Sequence, residues 1–292
     1  MSVTVTQLRT FLAVARLGSV KAAAAELVVT QPSVSAAVTA LSRELGVDLL
    51  ERDGRGIRPT AAGREYAAHA ADVIGLLERG RRAAREAESG SGPALRIAAV
   101  TTAAESFVPP LMQAFSTLHP ETALSLEVGN RERVLELVLA HETDVALGGR
   151  PPPDERIEAH PILPNELVLV TAVDDPLTRQ GIIGADELEG RRWLMREAGS
   201  GTRIANEEFL GRTGLSVETL TLGSNGAIKQ AARAGLGVSF VSRDAVATEL
   251  DAGLLGVIAV MAGPPVRQWY AMRSAVGPAR AVLDEFMAFV RA

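Results

Sequence analysis

The sequence predicts a chain of two parts, a small helical part that ends in one long helix and a larger α/β part. Residues 1–60 show three short amphipathic helical patterns followed by a hairpin pattern. Residues 61–88 keep a single helical period, and a hinge rich in Ser, Gly and Pro follows at 89–93. From residue 94 onward, short apolar runs alternate with helical patterns, which is typical of an α/β fold with a mostly parallel sheet.

Composition restricts the class of protein. The 292 residues are 47% hydrophobic and 22% charged, as in soluble globular proteins, and the length fits two or three domains. The chain has no cysteine, which excludes disulfides, thiolate zinc sites and a cysteine nucleophile. The N-terminus lacks a signal-peptide pattern, and no run of about 18 apolar residues occurs. We therefore expect a cytoplasmic protein that makes no membrane contact.

Charge is distributed unevenly along the chain. The net charge of -5 argues against a protein that is basic throughout. Residues 1–92 carry 12 Arg and Lys against 10 Asp and Glu, whereas the remaining 200 residues carry 18 against 25. Only the first segment therefore has a balance compatible with nucleic acid, and its net charge of +2 is weak support.

The third helical pattern has two contrasting faces. The three predicted helices span 6–17, 20–27 and about 31–45. The apolar stripe of the third helix consists of Val34, Val38, Leu41 and Leu45. Its opposite face carries small side chains, mostly with hydroxyls: Ser33, Ser35, Ala36 and Thr39. Such a triplet is typical of a helix-turn-helix, although an ordinary core helix is the alternative.

The start of the third helix offers groups that suit DNA. Thr30 is the predicted N-cap, and Pro32 fits the first turn, where its missing N–H has no helical partner anyway. Hydroxyls and helix N-termini donate to phosphate oxygens, and a glutamine such as Gln31 can pair with adenine. The predicted DNA contacts on this helix are Thr30, Gln31, Pro32, Ser33, Ser35 and Thr39.

A hairpin with three arginines follows the third helix. Leu50 and Ile57 flank an Asp-Gly turn, which predicts a two-stranded wing. Arg52, Arg55 and Arg58 cluster on this wing and are predicted to contact the sugar-phosphate backbone. The alternative is a solvated surface hairpin.

Residues 61–88 predict a helix of roughly 40 Å that begins after a Thr60 cap. Small or apolar residues recur along it at alternating spacings of four and three, as in a coiled-coil seam. The seam consists of Ala62, Tyr66, His69, Val73, Leu76, Gly80, Ala83 and Ala87. A single helix would expose this seam, so we expect a homodimer that pairs the helix and holds two third helices at a fixed spacing.

The N-terminal motifs resemble the winged helix-turn-helix of the LysR-type transcriptional regulators, along the runs 31–45, 46–52 and 59–63. The remaining chain resembles the branch that controls carbon-fixation (RuBisCO) operons, at 127–134, 149–152 and 196–203. The resemblance implies a periplasmic-binding-protein-like regulatory domain of two α/β subdomains, and homotetramers assembled as dimers of dimers.

Changes of pattern near residues 172 and 268 suggest where the regulatory part crosses between its subdomains. The predicted domains are therefore a DNA-binding domain at 1–60, a linker helix at 61–88, a hinge at 89–93 and a regulatory domain at 94–292. Subdomain I is expected at about 94–172 and 269–292, and subdomain II at about 173–268.

Loops at the carboxyl ends of the predicted strands are the candidates for a small-molecule site. They offer hydroxyls, backbone N–H groups, helix N-termini and arginines, which suit a carboxylate or a phosphate. The candidate effector-binding residues are Thr101, Thr102, Asn130, Arg131, Arg150, Ser200, Gly201, Thr202 and Arg203. For each residue alone, a helix cap or a surface charge is the alternative.

No catalytic, metal or cofactor site is predicted. The four histidines are scattered, and the sequence suggests no nucleophile placed with a base. The leading hypothesis is a DNA-binding transcriptional regulator, not an enzyme, that a small anionic effector controls from between the two regulatory subdomains. The alternative is a small-molecule binding protein or enzyme whose N-terminal helices serve only for dimerisation. The arginines of the wing and the bare face of the third helix favour the regulator, since dimerisation needs neither.

Overall fold

The structure is a computed structural model that describes residues 2–54, 56–90, 92–261, 263–264 and 266–291. It divides into two compact units, Met1–Ser91 with Leu139–Glu142, and Gly92–Val138 with Thr143–Ala292. The predicted fold class is confirmed, because helices and a hairpin form the first unit and alternating strands and helices form the second. Within the described residues, no single helix is long and apolar enough to cross a membrane. One bent pair of helices, Val20–Leu27 with Gln31–Leu45, has the length and the composition of a membrane span, and nothing else supports that reading.

The first unit begins with three helices, each started by a side-chain cap. They are α1 (Val5–Leu17), α2 (Val20–Leu27) and α3 (Gln31–Leu45). Their N-caps Thr4, Ser19 and Thr30 each accept a hydrogen bond from a backbone N–H of the first turn. Gly18 and Gly46 end α1 and α3 in the left-handed region, so the bounds of these helices follow from local chemistry.

Helix α1 supplies the apolar surface on which α3 packs. Phe11 lies in one cluster with Leu41, and Val14 lies in a second cluster with Val34. All four side chains are fully buried. Burying a side chain of this size contributes about 1.5–3 kcal/mol, so one stripe of α3 is held firmly inward.

The hairpin is anchored at its base to the neighbouring helices. Strands β1 (Leu50–Asp53) and β2 (Gly56–Pro59) pair antiparallel, and helix α4 (Ala61–Ser89) follows. The N–H of Ile57 donates to the Gly18 carbonyl at 2.9 Å, and Thr60 caps α4 by accepting from the N–H of Gly63 at 2.9 Å. Position 63 requires glycine, because a Cβ there would lie 1.9 Å from the carbonyl oxygen of Leu49.

The seam predicted on α4 does not lie on one free face. Tyr66 packs against Phe11, with ring centroids 6.0 Å apart, and belongs to the core of its own unit together with Ala70 and Ile74. Its assignment to a free dimer seam is therefore wrong. Val73, by contrast, is 52% exposed. The spacing of apolar residues was compatible with either face, and packing on α1 decided between them.

The second unit contains the remaining strands and helices. In chain order they are β3 (Ala94–Val100), α5 (Thr101–Ala104), α6 (Val108–Leu118), β4 (Ala123–Gly129), α7 (Arg131–Leu139), β5 (Val145–Gly148), β6 (Ile157–Asn165), β7 (Leu167–Thr171), β8 (Trp193–Arg196), α8 (Gly201–Thr213), β9 (Thr219–Leu222), α9 (Asn225–Arg233), β10 (Ser239–Ser242), α10 (Arg243–Asp251), β11 (Gly256–Ile258), β12 (Arg267–Ser274) and α11 (Ala281–Phe289). Two short 3₁₀ helices, Pro176–Arg179 and Ala185–Leu188, lie between β7 and β8.

Subdomain I is a five-stranded sheet in the order β4-β3-β5-β12-β6. Strand β3 runs parallel to β4 and β5, whereas β12 runs antiparallel to β5 and β6. Phe115 of α6 and Phe286 of α11 pack edge to face over its core, with centroids 5.1 Å apart. The expectation of a mostly parallel sheet is wrong, because β12 enters this sheet from the other subdomain in the opposite direction.

Subdomain II is built around β7, which pairs antiparallel with both β10 and β11. Strands β8 and β9 are parallel, and a bridge between Trp193 and Val238 joins them to the neighbouring strands. Asn206 of α8 is a fully buried polar residue in this core. Its amide oxygen accepts hydrogen bonds from the Trp193 indole N–H at 2.6 Å and from the backbone N–H of Phe240 at 2.9 Å. Its hydrogen bonds tie α8 to β8 and β10, as a buried amide requires.

The chain crosses between the two sheets around residue 166 and again just before β12. The prediction of a first crossing near 172 is wrong, because β7 belongs to subdomain II. Strand β6 was not predicted, since its segment contains Pro161 and Pro164. Proline is tolerated there because β6 is an edge strand, where one row of backbone groups needs no partner.

Val28 provides a test of backbone strain in the first unit. It ends α2 with φ 56° and ψ 45°, and its side chain is 89% exposed. A β-branched residue in this left-handed region costs roughly 1–2 kcal/mol, whereas asparagine tolerates it. We expect Val28→Asn to raise the free energy of unfolding by about 1 kcal/mol, measured by urea denaturation of the full chain followed by circular dichroism. Val47→Asn, at another exposed valine outside the left-handed region, is the matched control and should not stabilise; a less stable Val28→Asn variant would contradict the strain.

Candidate functional site

The first candidate surface is the outward face of α3. Val34 and Leu41 are buried behind it, and the following predicted residues are exposed: Thr30, Gln31, Pro32, Ser33, Ser35 and Thr39. Thr30 accepts from the N–H of Ser33 at 3.3 Å, and the two hydroxyls lie 2.8 Å apart. Thr30 therefore works first as a cap, and the remaining residues present short side chains on a helix whose backbone can approach a partner closely.

The wing arginines do not share one face of the hairpin. Strand register pairs Arg52 with Ile57 and Glu51 with Arg58, so Arg52 and Arg58 lie on opposite faces. Arg58 donates to the carboxylate of Glu51 at 2.9 Å, which offsets its charge. Arg52 is exposed and forms no ion pair within the described part of the chain. Arg55 lies outside the described residues. Of the two wing arginines that the structure describes, Arg52 is unpaired and Arg58 is paired.

The second candidate site is a cavity of about 560 Å³ between the two subdomains of the second unit. Eight of the nine candidate effector residues line it: Thr101, Thr102, Asn130, Arg131, Arg150, Ser200, Gly201 and Thr202. They come together because β3, β4 and β5 are parallel and end at one edge of their sheet, while α8 begins opposite. The volume falls in the range of small-molecule sites, about 300–1,000 Å³.

The first wall of the cavity is positively charged. Arg131 donates to the carbonyl of Arg150 at 3.2 Å, and neither guanidinium forms an ion pair with another described residue. Asn130 caps α7 by accepting from the N–H of Arg133 at 2.9 Å. Helix α8 has no acidic residue in its first turn, and Ser200 at its N-cap makes no side-chain cap bond. The partial positive charge of this helix end is therefore directed at the cavity without a neutralising carboxylate.

Arg203 is the predicted residue that the cavity does not include. Its guanidinium donates to Glu207 at 2.7 Å and to the carbonyl of Arg196 at 3.0 Å. These contacts hold Arg203 outside the cavity lining, and its contact with a ligand stays a prediction. An arginine three residues into a helix has a glutamate one turn further on as its nearest partner, and the sequence contained that pair.

The cavity also contains polar residues that sequence reasoning missed. They are Asn165, Arg196, Glu208, Ser242, Arg267 and Gln268, beside the aromatic rings of Trp269 and Tyr270. Asn165 ends the strand that was not predicted, and Ser242 precedes α10, which was not predicted either. Arg196 begins the motif at 196–203 and is the last residue of β8, so its position at a strand end was the available signal.

Arg196 connects the two subdomains through buried hydrogen bonds. It is 4% exposed and donates to the amide oxygen of Asn225, whose nitrogen donates to the Thr102 hydroxyl at 2.9 Å. It also pairs with Glu197 at 2.7 Å. Burial alone would raise the pKa of Glu197, but hydrogen bonds from Arg196 and from its own backbone N–H outweigh burial and hold the pKa below its ordinary value. Glu197 therefore stays ionised, and it compensates the buried arginine.

Among the described residues, no group of three or more His, Asp or Glu side chains could hold a metal ion.

Comparison with known families decides the class of protein. Residues 5–64 match the model described as "Bacterial regulatory helix-turn-helix protein, lysR family", and residues 88–292 match "LysR substrate binding domain". The chain belongs to the LysR family. A LysR-type chain is a DNA-binding transcriptional regulator with an effector-binding domain, which agrees with the exposed face of α3 and with the cavity.

Similar proteins span nearly the whole chain. A RuBisCO operon transcriptional regulator from Allochromatium vinosum is 37% identical over 98% of this chain and 96% of its own. The regulatory domain of Synechocystis CcmR, solved in complex with 2-PG, is 32% identical, with a TM-score of 0.65 over 68% of this chain and 96% of that one. Full-length CbnR, solved with its target DNA, is 25% identical, with a TM-score of 0.55 over 99% and 98% of the two chains.

The front of α3 can be tested with a single negative charge. We expect Ser33→Glu to abolish binding to the DNA upstream of the regulated genes, because a carboxylate on an exposed contact residue repels phosphate. The fold should survive, since an acidic side chain in the first turn suits the helix dipole. A gel shift at physiological salt measures the loss. Ser216→Glu, at an exposed serine in a loop of the second unit, is the control, and unchanged affinity of Ser33→Glu would contradict the interface.

Proposed function

We propose that this chain regulates a carbon-fixation operon in response to a small anion bound in the cavity of its second unit. The observation that carries the proposal is the wall formed by Arg131, Arg150 and the N-terminus of α8. Two guanidinium groups without an ion-pair partner among the described residues are free to bind an anion, and a carboxylate or phosphate matches their geometry. The operon class is supported by the 37% identity to the RuBisCO operon regulator.

The chemical class of the effector is supported by a relative. CcmR, whose regulatory domain is 32% identical, was solved with 2-PG, which is 2-phosphoglycolate. This ligand carries a phosphate and a carboxylate, the two anions that arginines and helix N-termini recognise. We therefore place such an anion against Arg131 and Arg150, with Thr101, Thr102, Ser200 and Thr202 supplying hydroxyls.

The DNA-binding mode follows from the exposed side of α3. Short side chains allow the helix to enter the major groove, where Gln31 pairs with an adenine edge. Ser33, Ser35 and Arg52 then contact phosphates, which position the protein without specifying sequence. The two arginines on opposite sides of the wing have unequal roles, because Arg58 is paired and Arg52 is not.

The oligomer is proposed to form through α4. Val73 and Leu77 leave apolar surface exposed along this helix, at 52% and 36% exposure, and a second copy of the chain can cover it. A dimer holds two α3 helices at a fixed spacing and so reads two half-sites. We further propose that two such dimers assemble into a homotetramer, as the resemblance to LysR-type regulators implies. We also propose that the protein is cytoplasmic and is not an enzyme.

Effector recognition is tested at the positive wall. We expect Arg131→Ala to weaken the binding of 2-phosphoglycolate at least tenfold, because the variant removes a bidentate donor from an anion. Isothermal titration calorimetry with the full chain measures the dissociation constant. Arg233→Ala, at an exposed arginine outside the cavity, is the control. Equal affinities for wild type and Arg131→Ala would remove Arg131 from the site.

The phosphate contact of Arg52 is tested by salt. The affinity for operator DNA should fall steeply as salt rises, and Arg52→Ala should reduce the slope of log K against log salt by about one. Arg58→Ala, with its charge already offset by Glu51, should change that slope less. Gel shifts at four salt concentrations give the slopes; identical slopes for wild type and Arg52→Ala would mean that this arginine does not contact phosphate.

A further inference from the structure

Two serines at helix N-caps differ from the other hydroxyl caps of the chain. Among the described helices, hydroxyl caps accept a hydrogen bond from the first turn at Thr4, Ser19, Thr30, Thr60 and Ser224. Ser200 and Ser242, which precede α8 and α10, make no such bond, and both line the cavity. Ser200 belongs to the positive wall described above. Ser242 lies elsewhere and needs a separate explanation.

Ser242 has an unpartnered neighbour at the crossing between the subdomains. Its hydroxyl is buried, with the residue 3% exposed, and has no hydrogen-bond partner in the described structure. Asn165 lines the same cavity and is 6% exposed. Its buried amide oxygen likewise has no hydrogen-bond partner in the described structure. Asn165 ends β6 of subdomain I, Ser242 ends β10 of subdomain II, and β10 pairs with Leu167 just beyond the crossing. Buried polar groups are almost always paired, so two orphans at one cavity indicate a missing partner.

The charged groups around this pair are already neutralised. Arg243 pairs with Glu166 at 2.8 Å, and Arg267 pairs with Glu208 at 2.6 Å. Asp244 in the first turn of α10 compensates the helix dipole and accepts from the Trp269 indole at 3.2 Å. This end of the cavity therefore suits an uncharged group, in contrast to the wall of Arg131 and Arg150.

We propose that Asn165 and Ser242 form a hydroxyl subsite, which binds an alcohol group of the effector. An alcohol O–H donates to the Asn165 amide oxygen, and its oxygen accepts from the Ser242 hydroxyl, so one group satisfies both orphans. The inference rests on the proposed anionic effector and narrows its class to a hydroxylated acid or phosphate. Because the two residues belong to different subdomains, the same alcohol links the subdomains at their crossing.

The test compares anions that match in charge and chain length but differ in hydroxyl content. The probes are D-3-phosphoglycerate against 3-(phosphonooxy)propanoate, and 4-phospho-D-erythronate against 4-(phosphonooxy)butanoate, titrated calorimetrically into the full chain. Wild type should prefer the hydroxylated member of at least one pair by about tenfold, since a buried site built for a hydroxyl rejects the analogue that lacks it. Asn165→Ala and Ser242→Ala should each lose this preference and keep their affinity for the members of each pair that lack hydroxyls.

Two controls show whether a lost preference reflects the subsite itself and not a loss of folding or a general effect of the strand. Ser242→Ala removes a hydroxyl that makes no hydrogen bond among the described residues, so its thermal unfolding should match wild type. Ser239→Ala is the matched control on the same strand, because the Ser239 hydroxyl donates to the Phe240 carbonyl and lies outside the cavity lining; it should retain the preference.

The outcomes separate this inference from the proposed function. Binding of both members of each pair with equal affinity by wild type would overturn the hydroxyl subsite and leave the anionic effector standing. A preference that persists in both Asn165→Ala and Ser242→Ala would also overturn it. Binding of none of the four probes would overturn the anionic effector, and the subsite with it.

Discussion

The burial of one stripe of α3 against α1 is the constraint on which the DNA-binding unit depends. Val34 and Leu41 have no exposed surface, and their contacts with Val14 and Phe11 fix the rotation of α3 about its own axis. Once that rotation is fixed, a helical period of 3.6 residues leaves the hydroxylated face outward. The wing depends on the same packing, because Ile57 is hydrogen-bonded to the end of α1 and α4 starts against Leu49.

The regulatory unit depends on a different constraint, the double crossing of the chain between two sheets. Because β6 and β12 pair in one sheet and β7 pairs in the other, the two subdomains face each other across a cavity. Strand ends and helix starts from both sides then supply its walls. The cavity has two unlike ends, since Arg131 and Arg150 lack carboxylate partners among the described residues whereas Arg267 is paired with Glu208. In the function proposed above, that difference in charge orients the anionic effector.

Much of the fold could be predicted because local chemistry sets it. Thr30 and Gly46 bound α3 as a cap and a left-handed terminator, and the helix runs from Gln31 to Leu45 as its pattern predicted. Two elements, β6 and α10, were not predicted, and each omission has a physical reason. The prolines of β6 argue against a strand unless the strand lies at an edge, and α10 has a short, weakly amphipathic pattern. Asn165 and Ser242 were missed with them, because Asn165 ends β6 and Ser242 is the N-cap of α10.

The sequence by itself determined the caps, the hydroxylated start of α3 and the family motifs, because these depend on neighbouring residues in the chain. Tertiary structure alone decided the direction of Tyr66 and the pairing of Arg58 with Glu51. In each case the side chain had two compatible partners or faces at the same helical or strand spacing. Packing chose between them, since only the folded chain brings distant surfaces close enough for burial and charge pairing to differ in free energy.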